Sequence, residues 1–266
     1  MPLFDITYIA VFTLVLAFVF GAVLASFITC TAGRLLAHED WTRGFSHCDT
    51  CGHQLGALDL FPIISYIALG GKCRYCGSKV PIRCLLSEVL LAVVFVLVAV
   101  LHGSIDVIMA RNMLLAMFMM GISFCEIDGK IIHDGFITAM LVLWIGALPF
   151  VPDLKLYIAD KVIACAVICG FFMLVSYLRV SKGKSGLKPE LIKLMAVYLL
   201  YTGLYAGVGF LAMGFLLHTL VKPFKKTIVP ALSVCCLAFM CCMTDRLDCA
   251  SLYGYITAIA DYIKVF

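Results

Sequence analysis

The sequence predicts an all-α polytopic membrane protein with about eight transmembrane helices and a cytoplasmic zinc-binding loop. Three observations predict it. Of the 266 residues, 64% are hydrophobic and 14% are charged, against about 45–50% and about 25% in an ordinary soluble domain. The mean hydropathy of +1.09 means more apolar surface than a soluble chain of this size hides from water. The apolar runs are long and continuous rather than alternating, which selects helices over a barrel. Together these exclude a soluble enzyme, a disordered chain and a nucleic-acid binder. The net charge of +4 is too small to suggest a polyanion partner.

A spanning helix needs about 20 mostly apolar residues. Such runs are expected at 6–30, 84–102, 107–126, 135–151, 157–179, 191–204, 205–221 and 227–244. The sixth is the least defined, because Tyr201 to Gly207 leaves little room for a turn. The first lacks a basic leading segment and is too long for a cleaved signal peptide. The chain thus divides into a first transmembrane helix (1–30), a polar loop (31–83), a seven-helix membrane domain (84–244) and an interfacial tail (245–266).

Eight spans sort the 20 Lys and Arg residues into 15 on the side of the 31–83 loop and 5 on the other. The five are Arg111, Lys155, Lys161, Arg246 and Lys264. The positive-inside rule makes the loop side cytoplasmic and puts both termini outside. Lys182, Lys184 and Lys188 belong to the basic side, where they serve as topology signal and attract anionic lipid.

The 14 cysteines separate into two groups. Cys48-x2-Cys51 and Cys73-x2-Cys76 lie in the polar loop with 21 residues between the pairs. Each such turn presents two thiolates to one tetrahedral ion, so the four read as a structural zinc site. A cytoplasmic loop does not keep disulfides, and a loop without a core of its own needs a metal staple. His47 and His53 are adjacent but surplus. The other ten cysteines, Cys30, Cys84, Cys125, Cys165, Cys169, Cys235, Cys236, Cys241, Cys242 and Cys249, read as small apolar packing residues. Gly203, Gly207, Gly209 and Gly214 read as close helix packing, and His102 and His218 as isolated structural residues.

The loop and its borders resemble the bacterial type IV prepilin peptidases. The resemblance runs from Ala25-Ser26-Phe27 and Arg34-Leu35 through Cys48-Asp49-Thr50-Cys51 and Asp59-Leu60-Phe61-Pro62-Ile63-Ile64-Ser65-Tyr66. It continues in Gly71-Lys72-Cys73-Arg74-Tyr75-Cys76, Arg83-Cys84-Leu85-Leu86-Ser87-Glu88 and, further on, Lys225-Lys226-Thr227-Ile228-Val229-Pro230. It implies an integral aspartic endopeptidase of the inner membrane. Such enzymes cut the leader from prepilins or pseudopilins at the cytoplasmic face, and many methylate the new N-terminus with S-adenosylmethionine.

Aspartic proteolysis needs two carboxylates that share a proton. The family's first acid stands eight residues before the Asp or Asn that follows a Pro; counted back from Asp134 it corresponds to Glu126, with Asp128 as a second acid and His133 in place of the Pro. The family's second site is Gly-x-Gly-Asp before x-Lys-Leu. Anchored on Lys193-Leu194, it puts Leu191 at the acid's position with Glu190 beside it and Pro189 at a helix start. Glu126, Asp128 and Glu190 are therefore the candidate catalytic acids. Leu191 motivates the alternative of a catalytically inactive membrane scaffold that binds prepilin. A small-solute transporter has no support beyond the apolar runs.

Overall fold

The computed structural model describes residues 7–40, 44–129, 133–151, 154–183, 189–190 and 192–203. The described residues form helices without a named strand: α1 (Thr7–Leu36), α2 (Ile64–Ala68), α3 (Ile82–His102), α4 (Val107–Gly129), α5 (Asp134–Ala147) and α6 (Leu154–Ser181). A short apolar helix, α7, spans Ile192–Gly203. Four helices, α1, α3, α4 and α6, are long and apolar enough to cross a membrane, while α5 with its following 3-10 turn and α7 are shorter apolar helices. The first six expected runs therefore correspond to helices, and α1 continues six residues past its expected end at 30. The expected spans 205–221 and 227–244, the tail 245–266, His218, five of the packing cysteines (Cys235, Cys236, Cys241, Cys242 and Cys249) and the later glycines lie outside the described residues.

Helix ends follow from local chemistry. Gly103 stops α3 in the left-handed conformation (φ 73), which glycine adopts without a Cβ penalty. Asp106 then starts α4, its carboxylate accepting from the Met109 amide at 2.9 Å, as an N-capping acid does. The same carboxylate pairs with His102 Nε2 at 2.9 Å, so His102 is not isolated but ties the α3 end to the α4 start. At α5 the cap is His133, whose Nδ1 accepts from the Gly135 amide at 3.1 Å.

The main core lies where α1, α3, α4, α5 and α7 meet, around Ile28, Leu91, Phe95, Leu115, Met140 and Tyr201. A second cluster joins α6 to α7 through Ala164, Ile168, Cys169 and Leu199. Among the cysteines read as packing, Cys125 and Cys169 are buried, Cys84 and Cys165 are half-buried, and Cys30 is exposed. Helices α1 and α3 touch backbone to backbone at Gly21. A Cβ there would come within 2.7 Å of Ala92 Cα and 2.8 Å of the Leu91 carbonyl. Small residues allow this approach in membrane helices. Gly21→Val should therefore force the pair apart, lowering stability by about 1–3 kcal/mol, read as an earlier thermal unfolding in detergent.

Two of the five cations counted on the outer side, Arg111 and Lys161, are buried inside the bundle. Arg111 is 2% exposed and Lys161 6%. The Arg111 guanidinium donates to Asn112 Oδ1 at 2.9 Å and Tyr157 Oη at 3.2 Å, and lies 5.4 Å from the Tyr201 ring centre. Lys161 pairs with Asp160 at 3.4 Å and sits over the Tyr157 ring. Hydrogen bonds, an adjacent acid and aromatic faces replace the water these charges lose. Gly203 closes the same cluster: a Cβ at its φ of 72 would strike Asp160.

Candidate metal centre and candidate catalytic end

The segment between α1 and α3 is built from two equivalent turns. In the first, the Gly52 amide donates to the Cys48 carbonyl and the Cys48 amide to the His53 carbonyl. In the second, Gly77 donates to Cys73 and Cys73 to Ser78 in the same registers. Each turn is closed by an antiparallel bridge, His47 with Gln54 and Lys72 with Lys79. Gly52 and Gly77 take φ of 69 and 71, the left-handed geometry that follows each second cysteine and favours glycine.

These turns bring Cys48, Cys51, Cys73 and Cys76 together, with all four sulfurs within 4.8 Å of one another. An ion with Zn–S bonds of about 2.3 Å sets tetrahedral sulfurs about 3.8 Å apart. Cys48 Sγ and Cys76 Sγ lie 3.8 Å apart. The donor set and spacing thus fit a four-coordinate thiophilic metal. The backbone amides of Cys51 and Thr50, then the Ser78 hydroxyl, hold the Cys48 thiol down to about 6. The Ser78 hydroxyl and amide also lower Cys76. Although the His53 amide favours its thiolate, burial and the neighbouring thiols of Cys76 and Cys48 carry Cys51 up to about 11. Four thiols this close resist joint ionisation, and a divalent cation removes that resistance. His53 takes no part in the sulfur cluster; its ring stacks on Tyr75 at 3.6 Å.

Asp59 braces the second turn. Its side chain is 6% exposed and pairs with Arg74 Nε at 2.7 Å, while Tyr75 Oη donates to it at 3.2 Å. The Gly56 amide, followed by Arg74 and Tyr75, holds the Asp59 carboxyl below its ordinary value. A lowered carboxylate contributes stability above its unfolded pKa and loses it only as the pH falls through the folded value. Acidification to about pH 5 therefore leaves the brace charged. Asp59→Asn should release metal to a competing chelator about tenfold more readily at neutral pH, with the four cysteines unchanged. Neither Asp59 nor Ser78 has a role legible in the sequence, because Arg74 and Tyr75 lie 15 and 16 residues from Asp59 and Cys48 lies 30 from Ser78.

Glu88 of α3 fastens the loop to the helices. Its Oε2 accepts from the Ile63 amide at 2.7 Å, and the Ser26 hydroxyl of α1 donates to the same carboxylate. Ile63 has φ 63, a left-handed conformation costly for a β-branched residue. The carboxylate holds it there.

The candidate acids fall at one end of the bundle. Glu126 and Asp128 lie on the last turn of α4, and their side chains are outside the described part. Glu190 is half-buried, with Pro189, in helical backbone just before α7, and Leu191 is outside the described residues. Asp134 at the start of α5 and Lys193 at the start of α7 form an ion pair at 3.0 Å. Beside them, a hollow of about 110 Å³ is lined by Leu35, Leu36 and His38 after α1, Cys125 of α4 and His133. The α1 end, the α4 end and the starts of α5 and α7 thus converge.

Residues 19–102 match the family described as the bacterial peptidase A24 N-terminal domain. The chain is 26% identical over 231 residues to a prepilin leader peptidase/N-methyltransferase of Neisseria gonorrhoeae, covering 76% of this chain and 78% of that protein. It is 27% identical over 161 residues to the protein of the same name from Dichelobacter nodosus, covering 59% of this chain and 54% of the relative, about half its length. A type 4 prepilin-like proteins leader peptide-processing enzyme of Escherichia coli is 31% identical over 101 residues, 38% of this chain and 36% of its own. No solved structure matches. The paired turns and the α1–α3 frame that carries them lie inside the matched region, so this part of the chain is similar to the bacterial peptidase A24 N-terminal domain and to these prepilin leader peptidases.

Proposed function

We propose that this chain is an integral-membrane aspartic endopeptidase that cleaves the leader of prepilins or pseudopilins at the cytoplasmic face. In this reading one acid takes a proton from the attacking water while the other, protonated, polarises the scissile carbonyl. Glu126, assisted by Asp128, supplies one carboxyl from the α4 end, and Glu190 supplies the other from the start of α7. The observation that carries the reading is the Asp134–Lys193 ion pair. It joins the two segments that resemble the family's catalytic motifs, which are 59 residues apart in sequence at that pair. The adjacent hollow of about 110 Å³ has room for a few waters. Carboxylates held at membrane depth are costly and default to function.

The four cysteines hold a structural Zn²⁺ that orders the loop and takes no part in the chemistry. The protein sits in the inner membrane with eight spans, in the four-part organisation 1–30, 31–83, 84–244 and 245–266, and the cation bias puts the zinc loop in the cytoplasm. Its partners are the prepilin leader and the lipid bilayer. Methylation is carried by the names of relatives that are prepilin leader peptidase/N-methyltransferases. Neither described hollow fits S-adenosylmethionine: one is too small for a nucleoside ligand, and the other offers two lysines and no acid to face its sulfonium and ammonium charges.

The test is incubation of the purified chain in detergent with a prepilin carrying a basic leader, beside an active relative. Leader release supports the peptidase. Leu191 favours a second reading, a non-catalytic prepilin-binding scaffold, which predicts capture of the prepilin without cleavage while the relative cuts.

A further inference from the structure

A second feature of the metal loop lies on its outer side, where the second cysteine turn meets the start of α3. An open hollow of about 520 Å³ is lined there by Tyr66, Gly71, Lys72, Lys79 and Ile82, among others, and none of its lining residues is acidic. The antiparallel bridge sets Lys72 and Lys79 opposite one another, so their side chains leave the same face. Gly71 makes the floor possible: a Cβ would come within 2.9 Å of the Tyr66 ring, whose hydroxyl donates to the Val80 carbonyl.

The surroundings of the hollow are apolar and uncovered. Ile64 and Ile67 of α2 are 61% and 67% exposed, and Ile82 and Leu86 in the first turns of α3 are 62% and 59% exposed. An apolar surface of this kind on the outside of a loop needs a cover. Helix α3 is long and apolar enough to cross a membrane, so its first turn marks the depth at which headgroups begin. Tyr66 of α2 and Ile82 of α3 line the same hollow as Lys72 and Lys79, so the uncovered apolar residues of both helices flank the segment that carries the two cations. Apolar anchors around cations are the composition that seats on an anionic membrane surface.

We propose that this hollow is a seat for the phosphate headgroup of an anionic phospholipid, with Lys72 and Lys79 taking the charge and Ile64, Ile67, Ile82 and Leu86 entering the acyl boundary. The seat would press the metal loop flat on the bilayer. It rests on α3 crossing the membrane and is independent of peptidase activity.

The experiment is native mass spectrometry of the full zinc-loaded chain in detergent with phosphatidylglycerol, phosphatidylcholine or inorganic phosphate. Phosphatidylglycerol should be retained about tenfold over phosphatidylcholine. Lys72→Gln with Lys79→Gln should remove the preference at unchanged zinc content, while Lys182→Gln keeps it. Equal retention of the two lipids overturns the proposal, as does equal loss in Lys182→Gln, which would mean general charge. Competition by inorganic phosphate at equal concentration would assign the site to a free anion. A double variant that loses zinc but keeps lipid preference would show that the lysines only balance the tetrathiolate. Wild-type chain cross-linked with a photoactivatable phosphatidylglycerol needs no variant: adducts should fall within 64–86, and adducts confined to other segments refute the seat.

Discussion

Cys48→Ser is expected to empty the proposed metal centre: zinc should fall from about one ion per chain to trace. The effect is large because the four sulfurs are a single unit. Removing one thiolate leaves three ligands on a segment that has little else to hold it. Most side chains between Phe45 and Gly77 are exposed or half-buried, and Gly71 and Cys73 are the buried ones. Folding of such a loop is metal binding. Protease cleavage within residues 44–80 should therefore rise sharply in the variant, while the α1–α3 contact at Gly21 persists. Cys125→Ser serves as the control, since Cys125 is packed in the core far from the turns in sequence. Metal analysis reads the first result and limited proteolysis the second. Full zinc occupancy in Cys48→Ser would remove the four-thiolate site.

Under the proposed function, Glu126→Gln and Glu190→Gln should each lower leader cleavage by about 10²- to 10⁴-fold, the range that a positioned acid or base supplies. Glutamine keeps the size and hydrogen-bonding reach of glutamate and removes only the titrating proton. The loss should therefore fall on kcat and leave prepilin capture intact. Asp128→Asn is expected to cost less, as an acid that assists. Lys193→Gln acts by a different route. It breaks the pair with Asp134 that joins α5 to α7, and a displacement of about 1 Å at the acids can cost 10²-fold. Leader cleavage followed over time by gel shift separates these effects. Equal activity in Glu126→Gln and wild type would strip Glu126 of its role.

The long apolar helices were legible because hydropathy is a local property summed over many residues. The four cysteines were legible because a repeated short turn writes its metal chemistry into adjacent positions. Asp59 and Glu88 were not, although both stand in the motif series. Their functions depend on Arg74 and Ile63, 15 and 25 residues away, and no periodicity marks such partners. Arg111 and Lys161 counted in the sequence only as cations of the outer side, and charge alone gives no sign of their burial. Only the surrounding Asn112, Tyr157, Asp160 and Tyr201 explain their burial. His133 stands where the resemblance expects proline, and the structure gives the substitution a physical sense: its imidazole caps α5, a different way to start the same helix.

The proposed catalytic end poses the sharpest question, because the resemblance aligns the family's second aspartate with Leu191 and puts Glu190 beside it. The exchange moves a carboxyl by one position along the chain and lengthens it by one methylene. Pro189 and Glu190 already have helical backbone ahead of α7, so Glu190 occupies a helix start, where an acid is favoured. The exposed ion pair of Lys193 with Asp134 links that start to α5.

The most direct measurement is the mass of a prepilin after incubation with the purified chain, with the Glu190→Gln variant run in parallel. The account predicts loss of the basic leader with wild type and an intact prepilin with the variant. An intact prepilin in both, while a prepilin peptidase relative cuts the same substrate, would contradict it.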